Sequence, residues 1–286
     1  MKTIGFVDLY IGEWHADNYP AWIGAANEKL GTDYRVGYVW AEQDVSPVTG
    51  ETTDAWCRRM DAQRCDSLAE LCEKSDVIMI LAPSDPEKHL AYAEVVLPFG
   101  KRTYIDKTFA PDLATAKQIF RIAKAHGTPF FSTSALRFAD ELERFRGTEG
   151  SSVTAGGSDF EEYLIHPVEM AVKLLADPAE QAKVEVCGEK RVCHIVTRQG
   201  KTAAITFSPA LGYTVSGTDA AGERICAEVT SDYFAHLLTE ILRFYESGEL
   251  PFDPAQTLEV MRLRTLLLRA QKTPGVWLND SGKEPA

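Results

Sequence analysis

No stretch of the 286-residue chain approaches the roughly 20 consecutive apolar residues that a membrane-spanning helix requires. Positive charge is also in deficit: Asp and Glu number 42 against 30 Lys and Arg, for a formal net charge of −12. Proteins that bind nucleic acid neutralise phosphates with clustered Lys and Arg, so this balance argues against such a partner. Met1–Phe6 runs straight into an apolar strand with no signal-peptide pattern, so a cytoplasmic location is expected. The six cysteines form no CxxC pair and have no histidine cluster beside them, which leaves no zinc pattern. They are expected as reduced thiols. Cys187 and Cys193 flank a Gly188–Arg191 turn and could face each other across a hairpin, although two small strand residues are the plainer expectation. Internal repeats and low-complexity tracts are absent as well.

What is present is enough apolar residue, 45% of the chain, for a sizeable core, and enough length for two domains. In the first half, strands are predicted at Lys2–Asp8, Tyr34–Trp40, Asp76–Ala82, Thr103–Asp106 and Pro129–Thr133. The third is apolar throughout, as a parallel strand covered on both faces must be. Leu113–His126 carries apolar residues at helical spacing and ends at Gly127, a helix stop. Strands alternating with amphipathic helices imply right-handed βαβ units. The expected fold is therefore α/β, with a Rossmann-type doubly wound parallel sheet over residues 1–133. Past Ser132–Arg137 the pattern changes. Short runs at Val184–Cys187, Val192–Thr197, Ala203–Phe207 and Tyr213–Gly217, joined by tight turns, predict a mainly antiparallel open sheet. Helices are predicted at Ser231–Ser247 and Pro254–Gln271, so residues 134–286 read as a smaller α+β domain.

The run from Asp76 to Ala110, DVIMILAPSDPEKHLAYAEVVLPFGKRTYIDKTFA, resembles the Gfo/Idh/MocA oxidoreductases, the family of glucose-fructose oxidoreductase and inositol dehydrogenase. That family has a buried strand, a Pro-containing turn, a His opening a helix, and a strand ending in Glu-Lys-Pro. Glu162–Met170, EYLIHPVEM, is similar to its catalytic motif, in which an acid precedes a His by four residues and a second acid follows. Gly12–Tyr19, GEWHADNY, resembles its helix-opening sequence. The resemblance covers about two thirds of the chain and fades in the C-terminal sheet.

It implies an NAD- or NADP-dependent enzyme, with site residues as follows. Lys107, at the end of a predicted central strand, would contact the cofactor ribose and the reacting hydroxyl, where an ammonium stabilises a developing alkoxide. Asp106 and Thr108 flank it in place of the family's Glu and Pro. His166 is the candidate general acid/base, with a reference pKa of about 6.5 suited to neutral pH. Glu162 would orient it, and Glu169 would bind a substrate hydroxyl. His89, Pro83 and Ser84 would line the cofactor. Of the Gly-x-Gly-x-x-Gly turn that lets backbone approach a pyrophosphate, only Gly12 is in place, and Asp8 puts a carboxylate where phosphates should lie. Pro20 is expected to kink the following helix or to extend the loop to about Asn18. Glu42 and Asp44 are candidates for a ribose hydroxyl. Each position also has an ordinary structural role open to it, as a cap, a turn or a solvated charge.

The expected function is oxidation or reduction of a polyhydroxylated small molecule, a sugar or polyol, by hydride transfer. A regulatory relative that has lost normal cofactor binding is the alternative, and redox-neutral chemistry with a resident NAD is a third. The apolar strands of the second sheet add the expectation of a homo-oligomer formed through its open face.

Overall fold

The computed structural model describes residues 1–145, 150–219 and 221–279. The chain divides into two compact units: Met1–Thr133 with Phe234–Pro254, and Ser134–Tyr233 with the residues from Ala255 onward.

The first unit runs β1 (Lys2–Asp8), α1 (Trp14–Leu30), β2 (Tyr34–Ala41), α2 (Thr53–Met60), β3 (Gln63–Arg64), α3 (Leu68–Lys74), β4 (Val77–Ile80), α4 (His89–Val96), β5 (Thr103–Ile105), α5 (Leu113–His126) and β6 (Phe130–Phe131). The sheet order is β3-β2-β1-β4-β5-β6, and every pairing is parallel. That is the doubly wound arrangement expected, with its switch point between β1 and β4, outside whose carboxyl ends such folds bind ligands. Strand β4, buried at every position, sits in the middle as its uniform apolarity requires. Helix α5 ends as predicted, on Gly127 at φ 65°.

Two expectations need correction. Of the two alternatives for Pro20, the loop extended to about Asn18 does not form. The helix starts at Trp14 and continues through the proline to Leu30, losing one backbone donor while burying Ala16, Tyr19, Ile23 and Ala26. Packing of that face outweighs the missing bond. The second concerns the helix after the second sheet, placed by the sequence with residues 134–286. From Phe234 onward it packs with the first unit. Tyr245 is fully buried there and donates to the carbonyl of Ile78 at 2.7 Å, and Phe244 meets Phe131 edge-on at 5.2 Å.

The second unit contains β7 (Gly150–Ala155), α6 (Phe160–Tyr163), α7 (Ile165–Leu175), β8 (Ala179–Cys187), β9 (Lys190–Thr197), β10 (Thr202–Phe207), β11 (Thr214–Thr218) and β12 (Arg224–Glu228). After α8 (Tyr233–Ser247), whose body belongs to the first unit, come α9 (Ala255–Ala270) and β13 (Leu278–Asn279). The sheet order is β12-β11-β7-β10-β9-β8-β13. Its pairings are antiparallel except β7 with β10, which is parallel. Helix α7 packs on β7 and β10 and against α9, burying Val168, Met170, Leu174 and Leu175. Cys187 and Cys193 do not face each other: Cys187 pairs with Lys190 and Cys193 with Val184, and all six cysteines are free. None of the helices among the described residues is long and apolar enough to cross a membrane, and none of the described residues form a metal-binding cluster.

Candidate active site

In the first unit, the side chains expected at the site gather at the carboxyl ends of β1, β4 and β5. Lys107 is the second residue after β5, and the peptide that joins it to Thr108 is cis. Its backbone N–H donates to Asp106 Oδ1 at 2.7 Å, and its ammonium reaches the carbonyl of Pro83, in the turn after β4, at 3.2 Å. Pro83 thus touches Lys107, and Ser84 lies in the same turn. Asp106 is 1% exposed and anchors a polar network. Its Oδ2 is bonded to Nδ1 of His15 and accepts from Tyr19 Oη at 3.2 Å, while Tyr104 Oη donates to Oδ1 at 3.2 Å. Burial alone would raise the Asp106 pKa, but the His15 charge and hydrogen bond, helped by Lys107, hold it below the usual carboxylate value.

Asp8 differs from its expected role. Its Oδ1 accepts from Leu9 N at 2.7 Å and from Ala82 N at 3.1 Å, tying β1 to the residue after β4. Ala82 stands at φ 53°, a left-handed conformation uncommon for a residue with a Cβ. Asp8 is 1% exposed, and its Oδ2 has no hydrogen-bond partner. Burial, reinforced by Glu13, pushes its carboxyl pKa well above the ordinary value. It is therefore a structural tie that favours the neutral form, not an exposed negative charge facing phosphates.

His89 is likewise occupied. It is fully buried, with Nδ1 at 3.0 Å from Phe109 O and Nε2 at 2.6 Å from Leu81 O, so both ring nitrogens are engaged by backbone. Burial lowers its pKa against the pull of those carbonyls. Glu42 binds Lys88 Nζ at 2.6 Å and accepts from Tyr92 Oη at 2.7 Å, chiefly through these bonds holding its pKa down. Asp44 pairs with Arg64 at 2.6 Å.

The start of α1 contains the residue that sequence reasoning missed. Glu13 is its N-cap, and the carboxylate accepts from two successive amides, Oε2 from His15 N at 2.8 Å and Oε1 from Ala16 N. Caps are usually Ser, Thr, Asp or Asn, so the sequence pattern gave no signal here. Gly12 is needed for a local reason: a Cβ there would lie 2.7 Å from Thr49 Oγ1 and 2.9 Å from Ser46 Cβ. Ser46 Oγ donates to Gly12 O at 2.6 Å, so the turn after β2 is seated on this glycine.

Tested against a dinucleotide, these residues divide. The lysine end suits a ribose hydroxyl and a reacting oxygen, since Lys107 has spare donors on a partly buried ammonium. The phosphate end does not fit as it stands, because Glu13 fills the amides and the Ser46–Thr49 turn covers Gly12.

In the second unit, α7 begins at Ile165, so Pro167 falls in its first turn with His166 just ahead. His166 Nδ1 lies 2.7 Å from Ser134 Oγ, and its ring is flanked by Tyr163 and Tyr213 at 5.9 Å each. Ser134 is fully buried and also accepts from Leu136 N at 3.3 Å, which fixes its hydroxyl as a holder of the imidazole. Glu162, expected in that role, is exposed in α6, its amide capped by Asp159 Oδ1 at 3.0 Å. Glu169, expected to meet substrate, is instead 2% exposed. It accepts from Arg137 Nε at 2.6 Å, while Nη1 and Nη2 of Arg137 donate to Gln256 Oε1 at 2.8 and 2.7 Å. Its α7 position turns it inward, where an unpaired carboxylate could not stay.

No protein-family model matches the chain. Among curated proteins, the uncharacterized oxidoreductase YhhX of Escherichia coli K12 is 35% identical over 66 residues, which are 22% of this chain and 19% of that protein. The matched part thus spans about a fifth of the relative. Solved structures match along nearly the whole length. Scyllo-inositol dehydrogenase from Lactobacillus casei, with bound NAD(H) and scyllo-inositol, has a TM-score of 0.77 at 12% identity, covering 98% of this chain and 99% of that one. GenD2 from gentamicin A biosynthesis, in complex with NAD, gives 0.77 at 13%, covering 98% and 97%. An oxidoreductase from Agrobacterium radiobacter, in complex with NAD+, L-tartaric acid and magnesium, gives 0.75 at 13%, covering 98% of each. The fold of this chain is that of these proteins.

Proposed function

We propose that this chain, which has the fold of NAD-binding sugar and polyol dehydrogenases, is itself an NAD(P)-dependent oxidoreductase acting on a hydroxyl or carbonyl carbon of a polyhydroxylated small molecule. The observation that carries this is Lys107 at the carboxyl end of β5, one strand from the switch point, with its amide locked by Asp106 and its ammonium held by a single carbonyl. A bound dinucleotide would supply the acceptor or donor of hydride. The ammonium of Lys107 would stabilise negative charge on the substrate oxygen as the proton leaves. His166 of the second unit, with Nδ1 held by Ser134, would be the general acid or base. Glu162, exposed on α6, would have a weaker electrostatic part. Glu169, Asp8 and His89 would build the scaffold rather than touch substrate.

The test is dinucleotide reduction or oxidation, followed by absorbance, across sugars and polyols. Lys107→Ala and His166→Ala should each lower kcat by about 10²–10⁴-fold with little change in melting temperature. Normal kcat in both variants would remove these residues from the chemistry, and no turnover with any substrate would remove the oxidoreductase itself. Self-association would use the face of the second sheet that carries Val192, His194, Val196, Ala204 and Thr206, all half-buried in the single chain. Light scattering that finds a monomer at every concentration would refute that part.

A further inference from the structure

The first amides of a helix are orphan donors at the positive end of its dipole, and in dinucleotide-binding sheets the helix after β1 offers them to the pyrophosphate. In this chain two of them are already taken. The carboxylate of Glu13 spreads its two oxygens over the amides of His15 and Ala16, as two oxygens of a phosphate would. The next approach to the backbone, across Gly12, is filled by the side chains of Ser46 and Thr49. That turn is fastened to α1 from outside: Arg59 donates to Asp17 Oδ1 and to Glu51 Oε2, each at 2.7 Å, and Trp56 Nε1 donates to the same Asp17 oxygen at 2.8 Å.

A second observation marks the place as built for more than capping. Asp8, fully buried beside Glu13, has one carboxyl oxygen without any hydrogen-bond partner. Glu13 raises the cost of ionising Asp8, with burial as the larger cause. A Ser or Thr cap would satisfy an amide with no carboxylate to bury beside another.

We propose that the amino end of α1 is a pyrophosphate site that Glu13 keeps closed, so that a dinucleotide is held there only when this carboxylate leaves the amides. The proposal rests on the dinucleotide reading above and says how that site is controlled. It also relocates the obstacle, from the buried and tied Asp8 to Glu13.

The experiment compares the wild-type chain with Glu13→Ala, titrating NADH and NADPH by fluorescence and inorganic pyrophosphate by calorimetry. Removing the competing carboxylate should tighten both by about tenfold or more, since one charge-assisted competitor and its repulsion are lost together. Glu13→Ser, which caps one amide and carries no charge, should show the same direction, and it serves if the alanine variant folds poorly. Wild type binding dinucleotide as tightly as both variants would overturn the closure and leave the oxidoreductase reading standing. Variants that gain pyrophosphate but no dinucleotide would support the closed site and sink the dinucleotide reading. Variants that gain neither would overturn the proposal.

Discussion

Glu169 gives a sharp separation between a residue that touches substrate and one that holds the fold. Replacing it with Leu removes the acceptor of Arg137 Nε at 2.6 Å and leaves a guanidinium that is 4% exposed without its counter-charge. One charge-assisted hydrogen bond is worth about 1.5–3 kcal/mol, and breaking a buried ion pair from one side costs about 3–5 kcal/mol because the other charge stays behind. The amide of Ser134, 3.4 Å from Oε2, also loses its acceptor and weakens the holder of His166. For a chain of this size each kcal/mol shifts the melting temperature by about 2–4 °C, so a fall of roughly 6–20 °C is expected. Urea denaturation should show the same loss as a lower midpoint at constant slope. Adding Arg137→Met to Glu169→Leu should recover a large part of it, because the stranded charge is then gone, although Gln256 loses its donors. A Glu169→Leu protein of unchanged stability but raised KM would refute this account and return Glu169 to the substrate.

Glu141 sets an acid limit. Burial works against its charge, but Ser231 Oγ and the amides of Thr230 and Ser231 override that and lower its pKa from 4.5 to about 2. Its folded pKa is depressed, so its stabilisation is complete above pH about 5 and fades as pH falls toward 2; Glu141→Gln should cost at most about 3 kcal/mol at pH 7 and almost nothing at pH 2, read from urea midpoints at both. Asp8 has the opposite sign, since its folded pKa is raised: its contribution to stability is lost as pH rises from the ordinary carboxylate value through the raised folded one. Asp8→Asn should therefore gain stability relative to wild type as pH rises above the ordinary carboxylate range, and a difference independent of pH would show that the carboxyl does not titrate with folding.

The elements that were legible in the sequence are those whose pattern is local. The unbroken apolar run of β4 and the glycine after α5 both declare themselves within a few residues. Strand β7 escaped notice because GSSVTA buries only Val153 and Ala155, yet it is paired on both sides, by β10 and β11. Its place is set by partners distant in sequence. The site divides the same way. Lys107 could be found because the residues around it resemble a known motif. The bonds around the candidate residues join His15 to Asp106 across 91 positions in the first unit, and Ser134 to His166 across 32 in the second, and no spacing rule reports such contacts. Glu169 and His89 look the same in sequence whether they face a ligand or the core, and only burial tells the two apart.

Helix α8 has a consequence for how the protein is made. The carbonyl of Ile78 waits for a hydroxyl 167 positions later, and the ring of Phe131 waits for Phe244. A ribosome adding about 5–20 residues each second needs roughly 10–30 s to cover that interval. Throughout it the nascent first sheet shows an apolar surface that its own chain has not yet supplied a cover for, while every strand of the second sheet but β13 emerges. The first unit is therefore complete at the emergence of residue 254 rather than residue 133.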